Sequence, residues 1–300
     1  MANTITHSNC IICKSDNISF LHKCIDYTAT KETFEVWQCN NCSHGFTQNI
    51  PAQAEIGKYY DSADYISHSD TKKGLVNKLY HSARDYMLNS KRKLVKKFTS
   101  NKNVSVLDIG SGTGYFLNNL KQHNIKAQGL EVDEKSRNAS IEKFGINVAT
   151  LDQLFAFEAE SFDAVTMWHV MEHVETLNEY VVQIKKILNT KGKAFIAVPN
   201  HVSFDGKYYK EFWAGYDVPR HLWHFTPKSM ELLFKNHGLR LVKKKHMPFD
   251  PFYISLLSQK YKGGILQFVK GMTIGKLAFF NGFFNVDKAS SVIYIFEKED

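Results

Sequence analysis

Three groups of residues in this 300-residue chain have the types and spacing for chemistry. The first is a double cysteine pair, Cys10-x-x-Cys13 and Cys39-x-x-Cys42. Each pair can wrap one metal ion from a tight knuckle, and two knuckles supply four thiolates to a tetrahedral zinc ion. With all four positions filled by protein the zinc is structural, because a catalytic zinc keeps one position open. Cys24 is left over and reads as a buried free thiol. The second group is Asp108-x-Gly110-x-Gly112-x-Gly114, which ends an apolar, β-rich run. Glycines there let the backbone turn sharply and let a ligand lie against it without a Cβ in the way. A helix N-terminus just beyond them favours a negative group such as a carboxylate. The third group is His169, Glu172 and His173, joined further along by His221 and His224. An imidazole titrates at about pH 6.5 and so suits proton removal near neutrality. Each of these histidines can equally be an anchor that holds its loop by hydrogen bonds.

The surrounding pattern says what must position these groups. Apolar residues run 104–109, break into glycines, then recur at helical spacing at Phe116, Leu117 and Leu120. Strand and helix patterns then alternate: a helix to 123, a strand over 126–131, a helix over 134–144 and a short strand over 147–149. A buried strand follows over 162–167, then a helix from about Trp168 to Leu188 and a strand over 194–198. Such alternation predicts a parallel sheet with helices on both faces and a ligand crevice at the carboxyl ends of its strands. Thr226 as N-cap and Pro227 at the first position start a helix that stops at Gly238. Strands over 239–245 and 291–297 close the sheet. The expected organisation is a zinc ribbon over 1–50, a helical connecting and covering segment over 51–103, and an α/β domain over 104–300. That domain carries inserts at 201–226 and 249–288.

Composition limits the classes of function. A 43% hydrophobic content suffices for one sizeable core and a small module. No apolar run is long enough to span a bilayer, and the polar first nine residues show no signal peptide, so the expected location is cytoplasmic. The net charge of +8 permits nucleic acid or an anionic membrane surface as partner and requires neither. No Walker lysine follows the glycines, which argues against a nucleoside triphosphate.

The acid-x-Gly-x-Gly-x-Gly form of 108–114 resembles motif I of class I S-adenosylmethionine (SAM)-dependent methyltransferases, rather than the dinucleotide fingerprint. The stretch Trp168-His169-Val170-Met171-Glu172-His173 resembles a second methyltransferase motif, and the strand ending at Pro199 and Asn200 resembles a third. The resemblance implies a Rossmann-like seven-stranded sheet of order 3-2-1-4-5-7-6. It also implies SAM as the methyl donor and assigns residues to it. Asp108, Gly110, Ser111, Gly112 and Gly114 would hold its amino-acid part. Glu131 would take both ribose hydroxyls, with Val132 beside it. Asp152 would lie near the adenine, and Trp168 and His169 would flank the methionine.

The insert over 201–227 is dense in Tyr, Trp, His and Phe, and its Asp217-x-Pro219-Arg220-His221-Leu222-x-His224-Phe225 run resembles one found in many bacterial methyltransferases. His221, His224 and His169 are the catalytic candidates. Arg220 would pair with an anionic substrate group or with loop carbonyls. Tyr59, Tyr60, Tyr65 and His68 would line the substrate site or pack the covering segment. The apolar, lysine-bearing stretch over 249–288 fits three roles: a helical hairpin on the core, a lid over an apolar substrate, or a peripheral membrane contact. The leading expectation is methyl transfer to a small acceptor, a hydroxyl of a sugar, lipid or aromatic intermediate. The alternatives are an RNA or protein methyltransferase gripping its substrate with the ribbon, or a non-catalytic SAM-binding module. Nucleic acid is disfavoured, because the fourth strand lacks the Asn/Asp-Pro-Pro-Tyr motif of amino-directed DNA enzymes. The sequence sets no oligomeric state.

Overall fold

The structure, a computed structural model, describes residues 4–52, 55–60, 75–99 and 103–299, without the side chains of 75–80. Tyr65 and His68 lie outside the described residues. The chain begins with two matching turns. Lys14 and Ser43, each just after the second cysteine of its pair, both adopt φ 61°, and their N–H groups donate back to Cys10 and Cys39. Around these knuckles run β1 (Thr4–Ile5), β2 (Ile18–Ile25), β3 (Thr33–Cys39), β4 (Gly45–Gln48) and β5 (Ile50–Pro51). Beyond them come α1 (Leu75–Phe98), β6 (Ser105–Ile109), α2 (Tyr115–Lys121), β7 (Lys126–Leu130), α3 (Glu134–Phe144), β8 (Phe162–Trp168), α4 (Leu177–Ile187) and β9 (Leu188–Pro199). The remaining elements are α5 (Phe204–Tyr209), β10 (Trp223–His224), α6 (Pro227–Lys235), β11 (Leu239–His246), α7 (Asp250–Lys262), α8 (Gln267–Phe284) and β12 (Ser291–Lys298).

The central sheet has order β11-β12-β9-β8-β6-β7. The last four of these strands are parallel, and β12 runs antiparallel to both its neighbours. This is the expected order with its outermost member reduced. Residues 147–149 make one parallel bridge, Leu130 to Ala149, so the sheet has six strands among the described residues instead of seven. The chain leaves the edge at once for a tight turn over Leu151–Ala156, which gives it no length to extend the ladder.

A second departure matters more for the site. The expected helix from Trp168 is broken into a short turn, Met171–His173, and α4. His169 sits at φ 59°, the left-handed region a non-glycine residue adopts at a cost. Its N–H donates to Ala197 O at the end of β9, so 168–174 is held as a loop across the strand ends.

The ribbon does not stand apart. Strand β10, from the aromatic insert, pairs with β4 (Phe46 opposite Trp223), so the insert completes a four-stranded sheet with β4, β3 and β2. Cys10, Ile12, Cys39, Cys42 and Phe46 share one apolar core with Met171, Leu233 and Phe296 of the α/β body. Polar contacts close the seam: Thr47 Oγ1 donates to His221 O at 2.7 Å, and Asn236 Nδ2 to Ile12 O at 3.0 Å.

Arg220 fixes this arrangement. Its guanidinium is buried and pairs with Asp26 Oδ1 at 3.0 Å and Asp217 Oδ1 at 2.6 Å. It also donates to Tyr59 O at 2.7 Å. The arginine is therefore consumed inside the protein, which settles between the two expectations in favour of structure. Arg220→Ala would leave two carboxylates without their cation, and breaking a buried pair from one side costs about 3–5 kcal/mol. Urea unfolding of the variant should show a loss of that order. A loss below about 1 kcal/mol, the level of an exposed pair, would contradict the role.

Candidate functional site

The candidate site lies where β6, β7 and β8 end. After Ile109 the chain turns so tightly that Gly110 N and Ser111 N both donate to Leu130 O, at 2.8 and 3.0 Å. Gly110 has φ 72°, and a Cβ there would come within 2.3 Å of Val170 Cγ2. Gly114 has φ 79° and would meet Ser140 Oγ at 2.5 Å. Gly112 differs: a Cβ there would meet nothing within 4 Å. Two glycines seal the loop against the body, and the middle one faces open space. Glu131 reaches over that space. Its Oε2 accepts from Gly112 N at 2.8 Å and its Oε1 from Asp133 N at 3.0 Å. Val132 beside it is 73% exposed. Asp152 lies on the tight turn next to the rim and accepts from Thr150 Oγ1 at 3.2 Å.

Beneath the loop, Asp108 is buried and accepts from Thr166 Oγ1 at 2.6 Å. Burial pushes its carboxyl up to about 7, against the pull of Thr166 and the Lys91 cation. Lys91 itself comes from α1 and lies over the Trp168 ring, 4.5 Å from its centroid. Burial lowers its pKa, with Asp108 and Asp250 opposing.

His169 Nε2 lies 3.0 Å from Asp250 Oδ2, and its Nδ1 3.5 Å from Glu172 Oε1. Burial disfavours the imidazolium, but the two carboxylates outweigh it and hold His169 protonated up to about 10. The two carboxylates thus favour the imidazolium of His169, the form with no lone pair to act as a base. Glu172 is fully buried, and neither carboxylate oxygen has a hydrogen-bond partner among the described residues. Burial would raise its pKa, yet the surrounding histidines hold it below the ordinary range.

Two imidazoles face Glu172. His173 Nδ1 lies 3.0 Å from Arg220 O and 3.3 Å from Tyr60 Oη, and His221 Nδ1 lies 2.9 Å from Gly215 O. A carbonyl can only accept, so each Nδ1 carries a proton and each Nε2 is the ring atom left for other partners. The His221 Nε2 sits 4.0 Å from Glu172 Oε1 and 3.9 Å from Asp217 Oδ2. Burial and the neighbouring His221 keep His173 low, at about 4. Glu172, His173 and His221 each present one donor atom within 4.8 Å of the others, so the trio has the chemistry to hold a transferred proton or a divalent cation.

His224 is elsewhere. It is 3% exposed in the seam between ribbon and insert, with Nε2 3.0 Å from Thr47 Oγ1. Burial, then the nearby His201, His221 and His44, drives its pKa well below 6.5. The expectation of a base at His224 is corrected: this imidazole anchors the seam. The four ribbon thiols do converge, with all four sulfurs within 4.8 Å. Cys10 Sγ lies 3.5 Å from Cys42 Sγ, and Cys13 Sγ 3.5 Å from Cys39 Sγ. These separations are far beyond a disulfide bond and close to the ~3.8 Å edge of a zinc–thiolate tetrahedron.

The methyltransferase-domain family model matches residues 80–244. The chain belongs to this family. A SAM-dependent methyltransferase from Archaeoglobus fulgidus matches the fold with a TM-score of 0.50 at 21% identity, covering 72% of this chain and 94% of its own. Phosphoethanolamine N-methyltransferase 2 from Haemonchus contortus, solved with SAM, matches with a TM-score of 0.52 at 16% identity, covering 85% of this chain and 63% of its own. In sequence, an uncharacterized methyltransferase of Schizosaccharomyces pombe is 27% identical over 62% of this chain and 69% of its own length. The human mitochondrial ubiquinone biosynthesis O-methyltransferase is 26% identical over 50% of this chain. The chain spans about half the length of that relative, 45%. Fold, glycine loop and family together make the protein a SAM-dependent methyltransferase.

Sequence reasoning missed two residues of the candidate site. Lys91 lay in an ordinary basic helix, and Asp250 in an insert read for its apolar residues. Neither has a motif around it; only the fold brings them to Trp168 and His169.

Asp108 gives a testable pH dependence. Its folded pKa of about 7 exceeds the ordinary 3.8, so the folded chain holds a proton that the unfolded chain has released. Its ionisation therefore costs stability progressively from about pH 4 to 7, and fully above that. Asp108→Asn keeps an acceptor for Thr166 without the charge. It should be more stable than the parent above pH 7, on the order of 2–4 kcal/mol, with the gain vanishing below pH 4. Thermal unfolding across pH checks this; a gap that ignores pH would contradict it.

Proposed function

We propose that this methyltransferase moves the SAM methyl group onto a hydroxyl of a small acceptor, a sugar, lipid or aromatic intermediate. Bound SAM supplies an activated sulfonium methyl, so the protein's task is to align the acceptor and take its proton. The residues present fit that cofactor. Gly112 leaves open the space that a Cβ would fill, and Glu131 is an acceptor-only group suited to the two ribose hydroxyl donors. Ser111 completes the loop, and His169, held between Asp250 and Glu172, would flank the methionine. Trp168 offers an apolar face, and Val132 and Asp152 stand on the rim where the adenine would lie.

One observation carries the choice of a hydroxyl acceptor. His221 Nε2 lies 4.0 Å from Oε1 of Glu172, a buried carboxylate with no hydrogen-bond partner among the described residues. A hydroxyl must lose its proton as it is methylated, and this pair can take it: His221 as base, Glu172 stabilising the imidazolium that results. A neutral amine attacks before it loses a proton, so such a transfer depends less on a base beside the acceptor. Four convergent thiols fit a structural zinc ion that holds the ribbon, and no chemical step passes through it. The inward packing of that ribbon onto the insert supports a small acceptor over a macromolecule gripped by a free module.

His221→Ala should lower kcat by about 10²–10⁴-fold while leaving SAM affinity within about twofold. A variant that keeps the parental rate would remove His221 as the base. The acceptor screen that precedes this can use methyl-labelled SAM and a cell extract partitioned between organic and aqueous phases.

A further inference from the structure

Helix α8 is built inside out. A surface helix normally turns its large apolar residues to the core. Here the buried stripe is Gly271, Ile274, Gly275, Ala278 and Gly282. These small residues let α8 lie directly on α7: a Cβ on Gly275 would reach 2.9 Å from Phe252 Cα, and one on Gly271 3.0 Å from Leu256 Cα. The large apolar residues face away. Phe268 is 70% exposed and Phe284 81%, with Val269, Leu277, Phe280 and Phe283 between them. Ile265, at the tip of the hairpin, is 82% exposed.

Charge says what covers this face. From residue 251 to 286 the chain contains no Asp or Glu and four lysines, Lys260, Lys262, Lys270 and Lys276, all exposed. A protein partner would have to match a wide apolar surface with a surrounding ring of acids. An anionic bilayer meets both demands at once: acyl chains accept the phenylalanines and headgroups accept the lysines. No described helix is long and apolar enough to cross a membrane, so the hairpin would lie in the interface.

The hairpin is also rooted in the site. Asp250, on the first turn of α7, pairs with His169, and Phe249 packs edge-on against Tyr86 of α1. We propose that the α7–α8 hairpin docks the protein on an anionic lipid surface and presents the crevice to a lipid-borne acceptor. The acceptor clause rests on the proposed function; the docking clause does not.

Co-sedimentation of the full chain with phosphatidylcholine vesicles, with and without phosphatidylglycerol, tests the docking. The protein should pellet with the anionic vesicles and be released by salt. Phe280→Ser with Phe284→Ser should reduce binding by at least about tenfold. Lys270→Glu should reduce it at least about fivefold. Both variants should keep parental SAM affinity, which shows that they are folded. Absence of the parent from the anionic pellet, or variants that bind as it does, would overturn the proposal. So would a dimer in light scattering that the double serine variant dissolves, since a second copy would then own this face. Vesicle binding by a chain that fails to bind SAM would refute the functional reading and leave the docking intact.

Discussion

A single buried guanidinium ties the ribbon, the connecting segment and the aromatic insert to one another. Arg220 reaches Asp26 in the ribbon, Tyr59 in the connecting segment and Asp217 in its own insert. Asp26 in turn accepts from Thr28, Ala29 and Thr30 N–H groups, so the turn after β2 is organised around the same charge. A charge so deeply buried persists only when every partner is in place. The neighbouring residues inherit that rigidity. Arg220 O orients His173, and His221 is the next residue along. The ribbon thus acts at a distance, by fixing the insert that carries the proposed base.

Around that frame the candidate site is built from opposed charges. Asp108 and Lys91 lie under the loop, and Glu172 and Asp250 clasp His169 at the strand ends. Each ion alone would be costly to bury. At the strand ends pairing outweighs burial and favours the charged forms of His169, Glu172 and Asp250. Under the loop burial outweighs pairing and draws Asp108 and Lys91 toward their neutral forms. The loop over 168–174 stores part of the cost in the left-handed backbone of His169. This turn is what brings Glu172 inward, where a continuous helix would have carried it past the strand ends.

Much of this was legible in the sequence because local physics and function coincide there. The glycine loop, the cysteine knuckles, the Thr226–Pro227 cap and the closing strands all announce themselves through backbone demands that few residue types meet. Thr226 caps that helix as expected, and Ser229 adds the reciprocal bond of a capping box. The failures share one cause. His221 and His224 stand in the same motif with the same side chain, yet one faces the crevice and the other the ribbon. The pairing of β10 with β4, a contact between distant segments, decides which. The apolar stretch that forms α8 left three roles open in the sequence, and only packing shows that its glycines are inside and its phenylalanines outside.

The central claim is that the open space at Gly112, bounded by Glu131, receives SAM. Titration calorimetry of SAM with the full chain and with Glu131→Ala tests it most directly. The parent should bind one SAM per chain. The variant should bind about ten- to a hundredfold more weakly, the loss of a charged hydrogen bond of about 1.5–3 kcal/mol. Equal affinities would place the ribose elsewhere, and a parent that binds no SAM would contradict the account.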